Sequence, residues 1–116
     1  MILLVEDEAI TRNAFAQILS INGHRVMQAA DGQEAVTLLE KNHFDIVITD
    51  IRLPKLSGLS LTAQIRMKWP DTAVLLVSAY LAPEDTQHLL DGKVEFLSKP
   101  VNANEMVAII NRLAAA

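Results

Sequence analysis

With 116 residues, 51% of them hydrophobic and 21% charged, the chain has the make-up of one ordinary globular domain, long enough to bury a real core. Ten basic against fourteen acidic residues give a formal net charge of −4. The Lys and Arg residues are scattered rather than gathered into a stripe, so nucleic-acid binding by this domain alone is not expected. With no cysteine, neither a disulfide framework nor a thiolate metal centre is available.

The first element is an apolar strand over 2–6 that runs into Glu6-Asp7. It lacks a basic region ahead of the apolar run and turns acidic at once, so it is not a signal peptide. A helix follows over 8–21, with Ile10, Phe15, Ile18, Leu19 and Ile21 in helical spacing and Gly23 as its stop. Phe15 is expected in the core, with Ile10 near the acidic end. A second strand at 25–29 leads to a helix over 32–42 that turns Ala35, Val36, Leu38 and Leu39 inward. The third strand, 45–49, delivers Asp50 at its end and breaks into Ile51-Arg52-Leu53-Pro54-Lys55-Leu56-Ser57-Gly58. The next helix spans 58–69, is stopped by Pro70, and leaves Trp69 as a cap contact. A fourth strand, 73–77, gives Ser78, and the largely apolar run to Ala82 is far short of the roughly 18 residues that span a bilayer. A helix beginning near Pro83, a favoured first position, ends before Gly92 and offers only Leu89 and Leu90 for burial. Thin anchoring of that kind marks a moving part or simply a frayed, exposed helix. The fifth strand, 94–98, gives Lys99-Pro100, and the last helix takes Asn102 as N-cap with Glu105 three residues on.

Short continuous apolar runs alternating with helical spacing indicate repeated strand–helix units, five in all, in one domain over 1–116. The strands of such a sheet end on one rim, where open parallel sheets bind ligands. Singly, each rim residue has a dull explanation: Asp7 caps a helix, Glu6 is a solvated strand end, Asp50 opens a turn, Lys99 makes a surface ion pair. Together they converge. Three carboxylates at one rim would raise one another's pKa unless a cation sits among them, and hard oxygen donors suit Mg²⁺ or, in its place, Mn²⁺. A carboxylate so placed is a nucleophile for phosphorus, giving an aspartyl phosphate. Phosphoryl transfer then asks mainly for in-line positioning and charge neutralisation, which the Lys99 ammonium and the Ser78 hydroxyl supply beside the cation. His24, His43 and His88 lie on different elements and do not suggest a shared metal site.

These residues carry a family resemblance over essentially the whole chain. Glu6-Asp7, then Asp50-Ile51-Arg52-Leu53-Pro54 with Gly58, then Ser78-Ala79, then Lys99-Pro100 resemble, in order and spacing, the receiver domains of bacterial two-component response regulators. The resemblance implies a flavodoxin-like (βα)5 three-layer sandwich with a five-stranded parallel sheet of order 2-1-3-4-5. It implies that Asp50 accepts a phosphoryl group from a histidine kinase or histidine phosphotransfer protein. Asp7, Asp50 and the backbone carbonyl of Arg52 would ligate Mg²⁺, with Glu6 acting mainly through water. Ser78 becomes the switch hydroxyl, Phe96 the switch aromatic, and the Lys99–Pro100 bond is expected to be cis. An effector domain, partner protein or second copy would meet the face made by the helix near Pro83, the last strand and the last helix, and part of the first helix would dock the kinase. Arg52 and Tyr80 would flank the path of the hydrolytic water and tune signal lifetime.

The chain departs from the usual pattern in Glu6 for the commoner Asp, in Lys93, and in Val101 after the proline. Three other readings fit less well. An aspartyl-phosphate hydrolase of the haloacid-dehalogenase kind needs a second acid where Arg52 stands. A flavin site would be repelled by the acidic pair after the first strand. A phosphate-independent interaction module would not need the full set of site residues. The expectation is a cytoplasmic switch, not a turnover enzyme.

Overall fold

The computed structural model describes residues 1–79 and 92–115. Five strands, β1 (Ile2–Val5), β2 (Val26–Ala29), β3 (Ile46–Asp50), β4 (Ala73–Ser78) and β5 (Val94–Ser98), are joined with four helices, α1 (Ala9–Ile21), α2 (Gly32–Lys41), α3 (Gly58–Lys68) and α4 (Ala103–Ala115). All strand pairs are parallel, in the order β2-β1-β3-β4-β5. This is the flavodoxin-like α/β architecture expected from the sequence. The helix expected from Pro83, with Tyr80 and His88, lies outside the described residues.

Continuous apolar runs form the central strands because both faces of a parallel sheet are covered. Side chains alternate between the faces. Ile2, Leu4, Ile46, Ile48, Leu75 and Val77 pack with Ala16 and Leu19 of α1 and Met106, Ile110 and Leu113 of α4. Leu3, Val5, Val47, Val74 and Leu76 pack on the other side with Ala35 and Leu39 of α2 and Leu61 and Ile65 of α3. Leu75, wholly buried among the first set, would cost about 2–5 kcal/mol as alanine. Val101 packs against the same set and Phe96 against the second, and the Lys93 carbonyl accepts from the Val74 amide at 2.8 Å, so β5 stays packed and paired despite the departures there.

Local signals hold at most ends. Gly23 follows α1 at φ 89°, a conformation that suits glycine. Asn102 Oδ1 accepts from the Glu105 amide at 3.0 Å, the expected cap of α4. The cap of α1 is Glu8, which accepts from the Ile10 and Thr11 amides, and not Asp7. Phe15 is half-buried against the core, whereas Ile10 and Ile21 are each 79% exposed. Trp69 caps α3 beside Pro70 and Thr72, and the Thr72 hydroxyl donates to the Phe44 carbonyl just before β3. It therefore sits at the end of the sheet opposite Asp50. His24 contacts Asn111 Oδ1 at 3.0 Å and His43 lies 3.6 Å from Asp45, well apart from each other in sequence and in role.

Candidate functional site

Strand register builds the site. Val5 pairs with Ala29 and Thr49, Asp50 with Val77, and Ser78 with Ser98. The residues that follow or end these strands, Glu6, Asp50, Ser78 and Lys99, therefore emerge along one rim.

Asp50 is held from several directions. Its Oδ1 accepts from the Arg52 amide at 3.0 Å, an Asx-type turn that stops the strand. The buried Thr49 hydroxyl donates to the Asp50 carbonyl at 2.9 Å. The Gly58 amide donates to the Ile51 carbonyl at 2.8 Å, bringing the start of α3 back onto the turn. There is no room for a side chain there: a Cβ on Gly58 would lie 2.0 Å from the Asp50 carbonyl oxygen. Ser57 caps α3 through the Ser60 amide, and the Thr62 hydroxyl donates to the Gly58 carbonyl at 2.8 Å, so the first turn is tied down. Lys55, in the same turn, has φ 70° and reaches Asp31, the cap of α2, at 3.4 Å.

The Lys99 ammonium donates to Asp50 Oδ2 at 2.5 Å and lies 3.7 Å from Glu6 Oε1. Its backbone amide donates to the Ser78 carbonyl at 3.0 Å, and the Lys99–Pro100 bond is cis as expected. Glu6 is buried, 5% exposed, and its Oε2 accepts from the Glu8 amide at 3.0 Å. Burial pushes the Glu6 carboxyl above its ordinary range; the Glu8 amide and the Lys99 charge oppose this, while Asp7 and Asp50 add to it. Burial alone would lower the Lys99 ammonium, but the bond to Asp50 and the charges of Asp50, Glu6 and Asp7 carry it above the usual lysine value. Three acids and one lysine thus share a single electrostatic site.

Lys99 contacts both Asp50 and Glu6. Asp7 is exposed at the mouth, close enough to be felt by Glu6 and Lys99. Ser78 is buried at the end of β4. Arg52 is exposed two residues beyond Asp50, and Phe96 is half-buried on β5, paired with Leu76. Tyr80 falls outside the described residues. Two contributors carried no motif in the sequence. Thr49, a hydroxyl in an aliphatic strand, was the available signal for one; Arg12, whose guanidinium reaches the Glu6 carbonyl at 2.8 Å, offered none.

The donor set has the chemistry for a hard divalent cation: carboxylates and a carbonyl, no thiolate, no imidazole. Among the described residues no three acidic or imidazole side chains are drawn into a closed cage, and the Lys99 ammonium lies between Asp50 and Glu6. Mg²⁺ keeps several waters and takes one or two carboxylates, so an open, partly hydrated arrangement fits it.

The chain matches the model of the response regulator receiver domain over residues 2–111. It belongs to that family. The receiver domain is 39% identical over 102 residues to the sensor histidine kinase RcsC of Escherichia coli K12, covering 87% of this chain and 11% of that protein. It is 31% identical to the response regulator protein FleR of Pseudomonas aeruginosa, covering 97% of this chain and 24% of that protein. A cyclic di-GMP phosphodiesterase of Thermotoga maritima is 37% identical over 87% of this chain, which is 27% of its own length. The chain thus spans about a quarter or less of these relatives. Among solved structures, the receiver domain of NtrX from Brucella abortus superposes with a TM-score of 0.90 at 28% identity, covering 100% of this chain and 99% of that one. The CheY-like receiver domain protein of Methanospirillum hungatei gives 0.91 at 26% identity, covering 98% of this chain and 92% of that one. This chain is a receiver module of two-component signalling, a family of signalling switches. Among the described residues no helix is long and apolar enough to cross a membrane.

Proposed function

We propose that this domain accepts a phosphoryl group on Asp50 from the phosphohistidine of a histidine kinase or phosphotransfer protein, and that the modified rim changes its interaction surface. The observation that carries this reading is the Asp50 carboxylate at a strand end, 2.5 Å from the Lys99 ammonium and fixed from behind by Gly58. One carboxylate oxygen of Asp50 would attack phosphorus in line as the bond to the donor imidazole breaks, the imidazole leaving with the electron pair and taking a proton from solvent. Lys99, already paired with that carboxylate, would move its ammonium to a phosphoryl oxygen, a charge-assisted contact. The Ser78 hydroxyl would take another. Asp7, Asp50 and the Arg52 carbonyl would hold Mg²⁺, with Glu6 reaching it through water. When bound, the cation neutralises charge on the transferring oxygens.

Turnover as a phosphatase is disfavoured because Arg52 stands where a second acid would be required. The readout would follow from Ser78 moving toward the phosphoryl group and Phe96 reorienting, which would alter the face of β5 and α4 that the helix expected from Pro83, outside the described residues, is expected to share. Partner protein, effector domain or second copy would meet that face. Unchanged hydrogen exchange over 81–92 with a beryllofluoride phosphate mimic would contradict this part. A cytoplasmic setting follows from the proposed donor.

The test of the whole reading is incubation with acetyl phosphate and Mg²⁺. One phosphoryl group is expected by intact mass, and none on Asp50→Asn. Equal labelling of that variant would sink the proposal.

A further inference from the structure

Arg12, one turn into α1, joins three elements at the acidic rim. Its Nη1 donates to the Glu6 backbone carbonyl at 2.8 Å, and its Nε to Gln28 Oε1 at 3.2 Å. Gln28 lies on β2, paired in register with Leu4, two residues before Glu6. The planar guanidinium offers donors in a fixed fork, so two bonds, one to the residue that follows β1 and one to β2, define its plane as well as its place. Glu6 is then held by its amide on the Ala29 carbonyl at 3.0 Å, by its side chain on the Glu8 amide at 3.0 Å, and by its carbonyl on Arg12.

The carbonyl of Glu6 belongs to the Glu6–Asp7 peptide. A trans peptide is planar, so fixing its oxygen fixes the orientation of the whole unit and the position of the Asp7 Cα. Asp7 is the exposed acid of the site, and nothing in the sheet ladder reaches it, since β1 ends at Val5. We propose that Arg12 is a positioning residue: it sets the Glu6–Asp7 peptide and so holds the Asp7 carboxylate where a divalent cation needs it. This inference rests on the cation-assisted phosphoacceptor reading above.

The alternative is that Arg12 acts only through its charge, and the two differ in sign. A cation next to a cation site repels the ligand, so removing the charge alone would tighten binding. Removing a positioning contact loosens it, by about tenfold where an outer contact orients a metal ligand.

Mg²⁺ titration calorimetry on the full chain, at constant ionic strength, separates them. Arg12→Ala is expected to weaken Mg²⁺ binding by about tenfold. Arg12→Lys, with charge but no fork, should also bind more weakly than the wild type, by a smaller factor. At saturating Mg²⁺ the rate of phosphorylation by acetyl phosphate should return close to the wild-type rate in both. In metal-free protein the Asp7 and Glu8 amides should exchange faster in Arg12→Ala. Urea unfolding of each variant checks the fold, and Gln28→Ala, which removes one prong, decides the matter if Arg12→Ala does not fold: weaker Mg²⁺ binding supports the proposal. Equal or tighter Mg²⁺ binding by the folded variants overturns it while leaving the phosphoacceptor reading intact. Failure of the wild type to bind Mg²⁺ overturns both.

Discussion

Substituting Gly58 by alanine puts one methyl group against the backbone of Asp50. The new Cβ would lie 2.0 Å from the Asp50 carbonyl oxygen, 2.8 Å from its carbon and 2.8 Å from the Ile51 Cα. None of these atoms is the end of a flexible side chain, so either α3 retreats or the Asp50 turn moves. Retreat of α3 is opposed by the Ser57 cap, the hydrogen bond from the Gly58 amide to the Ile51 carbonyl and the Thr62 hydroxyl on the Gly58 carbonyl. Gly58 does not have positive φ, so backbone strain is not the issue, and the alanine even gains about 0.4–1 kcal/mol by restricting the unfolded chain. Forcing a methyl into a packed site costs about 1–3 kcal/mol or more, and backbone contacts place this case at the upper end. The net expectation is a loss of roughly 1–3 kcal/mol, read as a lower urea midpoint at unchanged slope. Phosphorylation should suffer more than stability, because a displacement of about 1 Å at the nucleophile can cost about a hundredfold in rate. Gly23→Ala is the control: it has open space but φ 89°, and should destabilise the fold without touching phosphorylation. Neutral or improved stability of Gly58→Ala, with an unchanged phosphorylation rate, would refute the packing argument.

Glu6→Gln should stabilise the domain at neutral pH. Its carboxyl is raised in the folded state, chiefly by burial, so folding favours the protonated form there; its contribution is most favourable below the ordinary value of 4.5 and is lost as pH rises through the folded value. Urea midpoints from pH 4 to 8 should fall less steeply for the variant, and an identical pH profile would contradict the shift. Trp69, at the opposite end of the sheet, should change its fluorescence little on Mg²⁺ titration; strong quenching would show that the cation binds elsewhere. The family resemblance implies that Arg52, two residues past Asp50, and Tyr80, two past Ser78, flank the path of the hydrolytic water, so the aspartyl phosphate should be comparatively long-lived. Labelled Arg52→Ala/Tyr80→Ala protein should decay faster, and equal decay would move the control of lifetime to other residues.

The sheet and its rim were legible because the central strands β1, β3 and β4 are nearly unbroken apolar runs that lead into Glu6, Asp50 and Ser78, a pattern that a doubly covered parallel sheet imposes. Asp50 and Lys99 are 49 residues apart in sequence, yet the fold class alone brings them together. The helix faces were less legible. Ile10 and Ile21 fit an apolar count for α1, but Ile21 lies about 200° around the helix from the buried Leu19, at about 100° per residue, and so faces solvent. Glu8 rather than Asp7 caps α1, because both acids precede the helix and only the path of the chain leaving β1 decides between them. The glycine at 58 was visible as part of a motif, while its reason, a carbonyl 2.0 Å from any Cβ, exists only in three dimensions. Arg12 was invisible because a contact between a helix side chain and a carbonyl six residues earlier follows no periodicity.

The central claim is that Asp50 alone takes the phosphoryl group. Borohydride reduction of the acetyl phosphate-treated protein, followed by peptide mass mapping, tests it at the level of the residue. Reduction of an aspartyl phosphate yields homoserine, expected at position 50 with Mg²⁺ present and lost when the cation is chelated. Homoserine at position 7, or labelling at 50 that persists without a divalent cation, would contradict the account.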